Sequence, residues 1–301
     1  MGASAMLKGP VRRRRRAGRA GGRVALGFLV VLGVATLLAG PLAPYGYNDQ
    51  DYDAILQGMS GAHWFGTDDL GRDVFSRLLY GAQVSLGSAV VAVVVAVGIG
   101  VPVGLVSGFV GRRVDAVVMR VLDTLLAFPT ILLAITITAV LGTGLLTAMV
   151  AVGIALMPSF ARMMRAQVLV VRDRLYVDAA RTFGLPGWWL VARHVVPNSI
   201  QPVIVLTAHM LGAALLVEAS LSFLGLGTPP PQPSWGGMLR EASRFLDGLA
   251  PQIIVPGLAI ALTLLAINVV GDWLRDLLDP RVTSRSRRRA VPEATTEAAA
   301  V

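Results

Sequence analysis

Three ionisable side chains, Asp123, His209 and Glu218, interrupt stretches that are otherwise mostly Val, Leu, Ala, Ile and Gly. A carboxylate at the centre of a bilayer costs about 2.5–3.5 kcal/mol even on the lenient insertion scale, so such groups can mark a proton relay, an ion-coupled site or the lining of a pathway. Each also has a plainer reading. Arg120, three residues earlier, could neutralise Asp123. His209 stands alone in mid-run and could be a hydrogen-bonded packing histidine, and Glu218, at the end of its run, could reach interfacial water. All three stand as candidate pathway or gate residues.

Most other chemistry is excluded. Nucleotide hydrolysis normally needs a phosphate-cradling loop ending in Gly-Lys-Ser/Thr, and the only lysine is Lys8. There are no cysteines, hence no disulfides, thiolate metal sites or cysteine nucleophiles. No His-Glu-x-x-His or Gly-x-Ser-x-Gly motif occurs, and His63, His194 and His209 fall in segments too far apart to share a metal. The chain is therefore expected to be no enzyme, with no catalytic residue, cofactor or metal of its own. If it moves a solute uphill, the energy comes from a partner.

The elements that position these residues are membrane spans. Of 301 residues 54% are hydrophobic and only 15% charged, with mean hydropathy +0.66, too apolar for a soluble domain of this size. About 20 apolar residues in a helix cross a hydrocarbon core of about 30 Å. Such runs are expected at residues 24–43, 85–109, 117–141, 145–161, 198–218 and 252–271, giving an all-α polytopic membrane protein with six transmembrane helices. The first run follows a basic stretch but is longer than a signal-peptide core, so it reads as an uncleaved anchor. Gly100, Gly104 and Gly108 recur at four-residue spacing, which places small residues on one helix face for close packing. Pro102, Pro129, Pro158, Pro202 and Pro256 are expected to kink their helices.

Orientation follows from basic residues, which cytoplasmic loops retain. With the N-terminus inside, all but four of the 27 Lys and Arg residues fall on the inner side, the exceptions being Arg72, Arg77, Arg240 and Arg244. Both termini are thus expected in the cytoplasm, with the chain a multi-pass protein of the cytoplasmic membrane. The resulting map has a basic tail (1–23), the first helix (24–43), an external segment (44–84) and a transmembrane core (85–271). That core contains an inner loop (162–197) and an outer loop (219–251), and a cytoplasmic tail (272–301) follows, read as disordered from about 283. In the outer segment Asp68, Asp69, Arg72 and Asp73 form a candidate salt-bridged elbow, with a purely structural network as the alternative. In the outer loop the prolines at 229–231 suggest a stiff polyproline rod, and Trp235 suits a membrane interface.

The inner loop carries the stretch YVDAARTFGLPGWWLVARHVVPN, residues 176–198. Arg174, Asp178 and Arg181 share one face of a short helix, and Tyr176, Ala180 and Phe183 another. Ala179 and Ala180 are small enough for a partner's wall to approach, Gly184 can end the helix sharply, and Trp188 and Trp189 offer anchoring area. Physics alone leaves two readings open: a knob that enters a cleft on another protein, or an amphipathic helix on the lipid surface.

This stretch resembles the coupling motif of ABC importer permeases, a Glu-Ala-Ala triplet followed by a glycine and a distal proline, matched by Ala179, Ala180, Gly184 and Pro197. Asp178 stands where glutamate is usual, which keeps the charge but shortens its reach. The segments HWFGTDDLGRDVFSRLLYGAQVSL, EASLSFLGLGTPPPQPSWGGML and INVVGDWLRDLLDPR resemble the dipeptide, oligopeptide and nickel branch of that family, in consistent order over about residues 24–282. The resemblance implies a type I importer permease fold that forms the translocation pathway for di- or oligopeptides or a related small solute. It implies a second permease subunit, usually non-identical, two ATPase subunits that hold the ATP and Mg, and an extracytoplasmic solute-binding protein. It assigns ATPase docking to Asp178, Ala179, Ala180 and Gly184, with Arg174, Arg181 and Trp188 as lesser contributors. The alternative reading is a secondary transporter or channel working alone.

Overall fold

The computed structural model describes residues 10–142, 144–245 and 250–278. The outermost tails, including the segment expected to be disordered from about 283, lie outside the described residues. Among the described residues every regular element is helical, apart from one isolated bridge between Thr67 and Asp73. The helices are α1 (Pro10–Leu37), α2 (Ala39–Leu42), α3 (Val74–Val110), α4 (Arg112–Leu126), α5 (Thr130–Leu141) and α6 (Leu145–Arg172). They continue with α7 (Leu175–Thr182), α8 (Gly187–Leu190), α9 (Val196–Phe223), α10 (Trp235–Ala242) and α11 (Ala250–Leu278).

Among the described residues five helical runs are long and apolar enough to cross a membrane: Ala20–Leu37, Val74–Val110, Leu145–Arg172, Gly187–Phe223 and Pro251–Leu278. The expected span over 117–141 is not one straight helix. α4 and α5 meet at a bend of 95°. α4 ends at Leu126 and Pro129 is the N-cap of α5, because proline has no N–H for the helical ladder and disfavours a helical residue before it. By contrast α3, α6, α9 and α11 run on through Pro102, Pro158, Pro202 and Pro256. A π-helical turn at Val191–Val195 joins α8 to α9, so residues 187–223 form one long rod.

α3 and α6 form the central pair. Where lipid surrounds the helices, close backbone approach replaces the hydrophobic drive that packs them in water. The glycine stripe on α3 provides it: a Cβ on Gly104 would lie 2.1 Å from the Ala161 carbonyl oxygen, and one on Gly100 2.6 Å from that of Met157. Around this seam Ala89, Ala92 and Ala96 of α3, Phe160, Met164 and Val168 of α6, and Leu215 and Leu221 of α9 are buried. α1 packs on α11, with Gly22 against the Trp273 side chain.

The two ends of the bundle differ. One end carries α7 and α8, with the last turns of α3, α6 and α11. The other carries α10, the first turns of α3 and α11, the last turn of α9, and residues 43–73. At that end Trp235 is fully buried rather than interfacial. Its backbone N–H donates to the Ser85 hydroxyl at 3.0 Å and its indole N–H to the Leu78 carbonyl at 3.0 Å, both on α3. The preceding prolines turn at 230–231 instead of forming a rod.

Candidate functional site

α6 runs eleven residues past the expected end of its span before the chain turns at Asp173, so the charged stretch is held at the tip of a helical arm. α7 then closes on a left-handed glycine. Gly184 has φ 75°, its N–H donates to the Arg181 carbonyl at 2.9 Å, and the Leu185 N–H reaches back to Ala180 at 3.3 Å. This Schellman-type ending satisfies carbonyls that would otherwise be orphaned and reverses the chain into α8.

The hairpin has a wet and a dry side. Val177, Ala180 and Leu190 are buried against the bundle. Leu175 and Phe183 are 88% and 85% exposed, and Trp188 is 73% exposed, around an Asp178–Arg181 ion pair of 3.5 Å that faces solvent. Arg174 and Ala179 are exposed as well. The structure separates two alanines expected to act together: Ala179 is exposed, whereas Ala180 packs inward at 9% exposure. Trp189 is only part-exposed and packs on His194, with ring centroids 5.2 Å apart.

Beneath the hairpin lies the corner between α3 and α4. Phe109, at the end of α3, sits 5.9 Å from the Arg181 guanidinium carbon, and its ring lies beside Gly187. Arg172 donates to the Gly108 carbonyl at 2.7 Å. Asp115 on α4 accepts a two-pronged pair from Arg165 of α6, with Nη2 at 2.6 Å, and a further bond from the Ser107 hydroxyl at 2.6 Å. Asp123 pairs with Arg162 of α6 at 2.7 Å, not with Arg120 of its own helix.

The other two ionisable residues also have partners. His209 is not alone: Nδ1–H donates to the Val205 carbonyl at 3.0 Å, and Nε2 lies 3.4 Å from Asp272 on α11. Glu218, expected to reach interfacial water, is only 6% exposed, with one carboxylate oxygen accepting from the Ser222 hydroxyl at 2.8 Å. Beside it, between Ser88, Met149, Val152 and Gly227, is a cavity with room for about one water molecule.

At the α10 end the residues expected to form an elbow enter ion pairs with a different membership. Arg72 binds Asp68 at 2.7 Å and Glu241 of α10 at 3.1 Å, with Asp69 at 3.8 Å. Arg77 binds the same Glu241 oxygen at 2.8 Å and Asp68 at 3.4 Å. Asp73 stays outside this group, capping α3 through the Ser76 N–H at 2.7 Å and meeting His63 at 3.0 Å. Asp68, Asp69 and Glu241 place carboxylate oxygens within 4.8 Å of one another, and the two buried guanidinium groups supply the counter-charge.

A family model described as the binding-protein-dependent transport system inner membrane component matches residues 100–284, the stretch that runs from the last turns of α3 through α11 and holds the arm and its corner. The chain belongs to that family. It is an ABC importer permease, a multi-pass protein of the inner membrane and a transport subunit rather than a catalyst. Glutathione transport system permease proteins GsiD are close relatives. That of Pectobacterium atrosepticum is 44% identical over 264 residues, covering 87% of each chain. Those of Escherichia coli and Shigella flexneri are 44% and 45% identical over 257 residues, covering 85% of this chain and 84% of theirs. The permease fold also matches inward facing conformations of the MetNI methionine ABC transporter. One crystal form has a TM-score of 0.58 and 18% identity, covering 67% of this chain and 96% of that one; a second has 0.58 and 17%.

Sequence reasoning missed Phe109, Asp115 and Arg165 of the permease, and Arg77 and Glu241 at its other end. A signal existed for Arg77. It is one of the four basic residues expected outside, and a buried arginine needs a carboxylate partner.

Proposed function

We propose that this permease conducts a peptide-sized solute, of the class that includes glutathione and di- or oligopeptides, across the membrane under the control of ATPase subunits docked on the α7–α8 hairpin. The observation that carries the reading is the exposure of Leu175, Phe183 and Trp188 beside Asp178 and Ala179, at the tip of an arm that is helical back to the bundle. Large apolar anchors flanked by charge are what a protein cleft binds, whereas a helix lying on lipid would present one continuous apolar stripe. In this reading both termini and the hairpin face the cytoplasm, and two ATPases, each with ATP and Mg, close and open against the arms. A second permease subunit of related but different sequence completes the pathway.

The opposite end then receives a solute-binding protein. There the Arg72 and Arg77 cluster holds the outer segment to α10 and presents Trp64, Met59 and Tyr52 outward. Glutathione and peptide substrates are favoured because relatives 44% identical to this chain carry glutathione transport in their names. Reconstitution into liposomes tests the reading. Uptake is expected only when ATPases, binding protein and ATP are all present; uptake by the permease without ATPases overturns it.

A further inference from the structure

The hairpin is not a knob on a free stalk. Arg162, Arg165 and Arg172 share one face of α6, and all three reach across to the α3–α4 corner or to α4 itself. Arg165 grips Asp115 with two parallel hydrogen bonds, the arrangement that gives arginine both strength and direction. From the hairpin side, Arg181 of α7 and Gly187 of α8 flank the Phe109 ring, so an α3 side chain is lodged between the two limbs. One residue beyond Val110 the chain reverses at Gly111, whose φ of 70° starts α4. α4 in turn ends at the 95° elbow before α5.

Resting on the docking role proposed above, we infer that Asp115, Arg165 and Phe109 are positioning residues that make the α3–α4 corner and the hairpin one body, so that ATPase motion reaches the elbow at Ala127–Pro129. A conformational change is driven only by contacts that differ between two states, and a coupling network needs a contiguous physical path. The corner supplies that path on this chain. Without it the hairpin could pivot on the Asp173 turn while α4 and α5 stayed in place. Asp123 with Arg162 adds a second, more exposed tie between the same two helices.

The test uses the full complex of permeases, ATPases and binding protein in liposomes, with glutathione as the probe solute. Asp115→Asn and Phe109→Ala are expected to leave ATPase subunits bound and hydrolysing, while uptake per ATP falls about tenfold. Exchanging the charges, Asp115→Arg with Arg165→Asp, is expected to restore most of that ratio, which a loss of packing alone would not allow. Phe109→Ala keeps the question answerable if Asp115→Asn fails to assemble. ATP-dependent wild-type uptake with an unaltered ratio in both single variants overturns this inference alone. Wild-type uptake without ATPases overturns it together with the docking reading.

Discussion

Phe109 and Arg181 meet, ring to guanidinium at 5.9 Å, across the gap between the end of the central helix α3 and the helix that faces outward at the tip of the arm. A cation over an aromatic face contributes about 0.5–1 kcal/mol where solvent is near. Its importance is geometric, because it fixes the hairpin's orientation at the limb opposite Leu190, whose side chain is buried in the bundle.

Phe183 and Trp188 are the anchors of the proposed docking face. Truncating either to alanine should weaken ATPase binding by about 2 kcal/mol, roughly 30-fold, as for other interface hot spots. Both side chains are largely exposed, so the permease alone should keep its thermal stability. Titration of labelled ATPase subunits onto the reconstituted permease measures the first effect, and thermal unfolding in detergent the second.

Gly184 isolates backbone shape from side-chain contact. A Cβ there would meet nothing within 4 Å, yet φ is 75°. Gly184→Val should therefore cost about 1–2 kcal/mol of local strain and distort the turn into α8. Gly184→Pro should do more, since it also removes the N–H that donates to Arg181. Both variants should insert into the membrane at wild-type levels and lose ATP-driven uptake.

The α3–α6 seam predicts a sharp contrast between two glycines of one helix. Gly104→Leu forces side-chain atoms toward the Ala161 backbone, 2.1 Å from where its Cβ would lie, and should destabilise the fold by about 1–3 kcal/mol or more. Gly98→Leu, where a Cβ would meet nothing within 4 Å, should leave the melting temperature unchanged. Thermal unfolding of the two variants in the same detergent reads the difference.

Arg77→Ala leaves Glu241 and Asp68 short of one guanidinium in a buried cluster. The expected loss is about 3 kcal/mol, felt as release of the outer segment from α10. Arg77→Lys should recover only part of it, because an ammonium group cannot span both carboxylates with a planar fork. Limited proteolysis between residues 44 and 73 is the readout.

How much of this was legible in the sequence depends on whether a feature is local. The spans were legible because about 20 apolar residues in a row leave a bilayer helix as the one economical solution. The hairpin was legible because Gly184 and the aromatics around it are local signals. The 95° elbow was not, since Pro129 resembles the prolines at 102, 158, 202 and 256 until packing decides which helix can run on. The ion-pair partners of Asp115, Asp123, Glu241 and His209 come from other segments of the chain, and one-dimensional spacing cannot rank a residue three positions away against one brought in by the fold. Ala180 likewise reads as a contact residue until the bundle claims its side.

The unbroken rod from Gly187 to Phe223 begins in the hairpin and ends one turn past Glu218. At about 1.5 Å per residue it is a lever of roughly 55 Å. Pivoted near its π-helical turn, a tilt of about 5° at the hairpin would carry the far end, about 45 Å away, sideways by roughly 4 Å. A displacement too small to disturb the proposed docking face would arrive at the far end of the rod amplified to the width of a side chain.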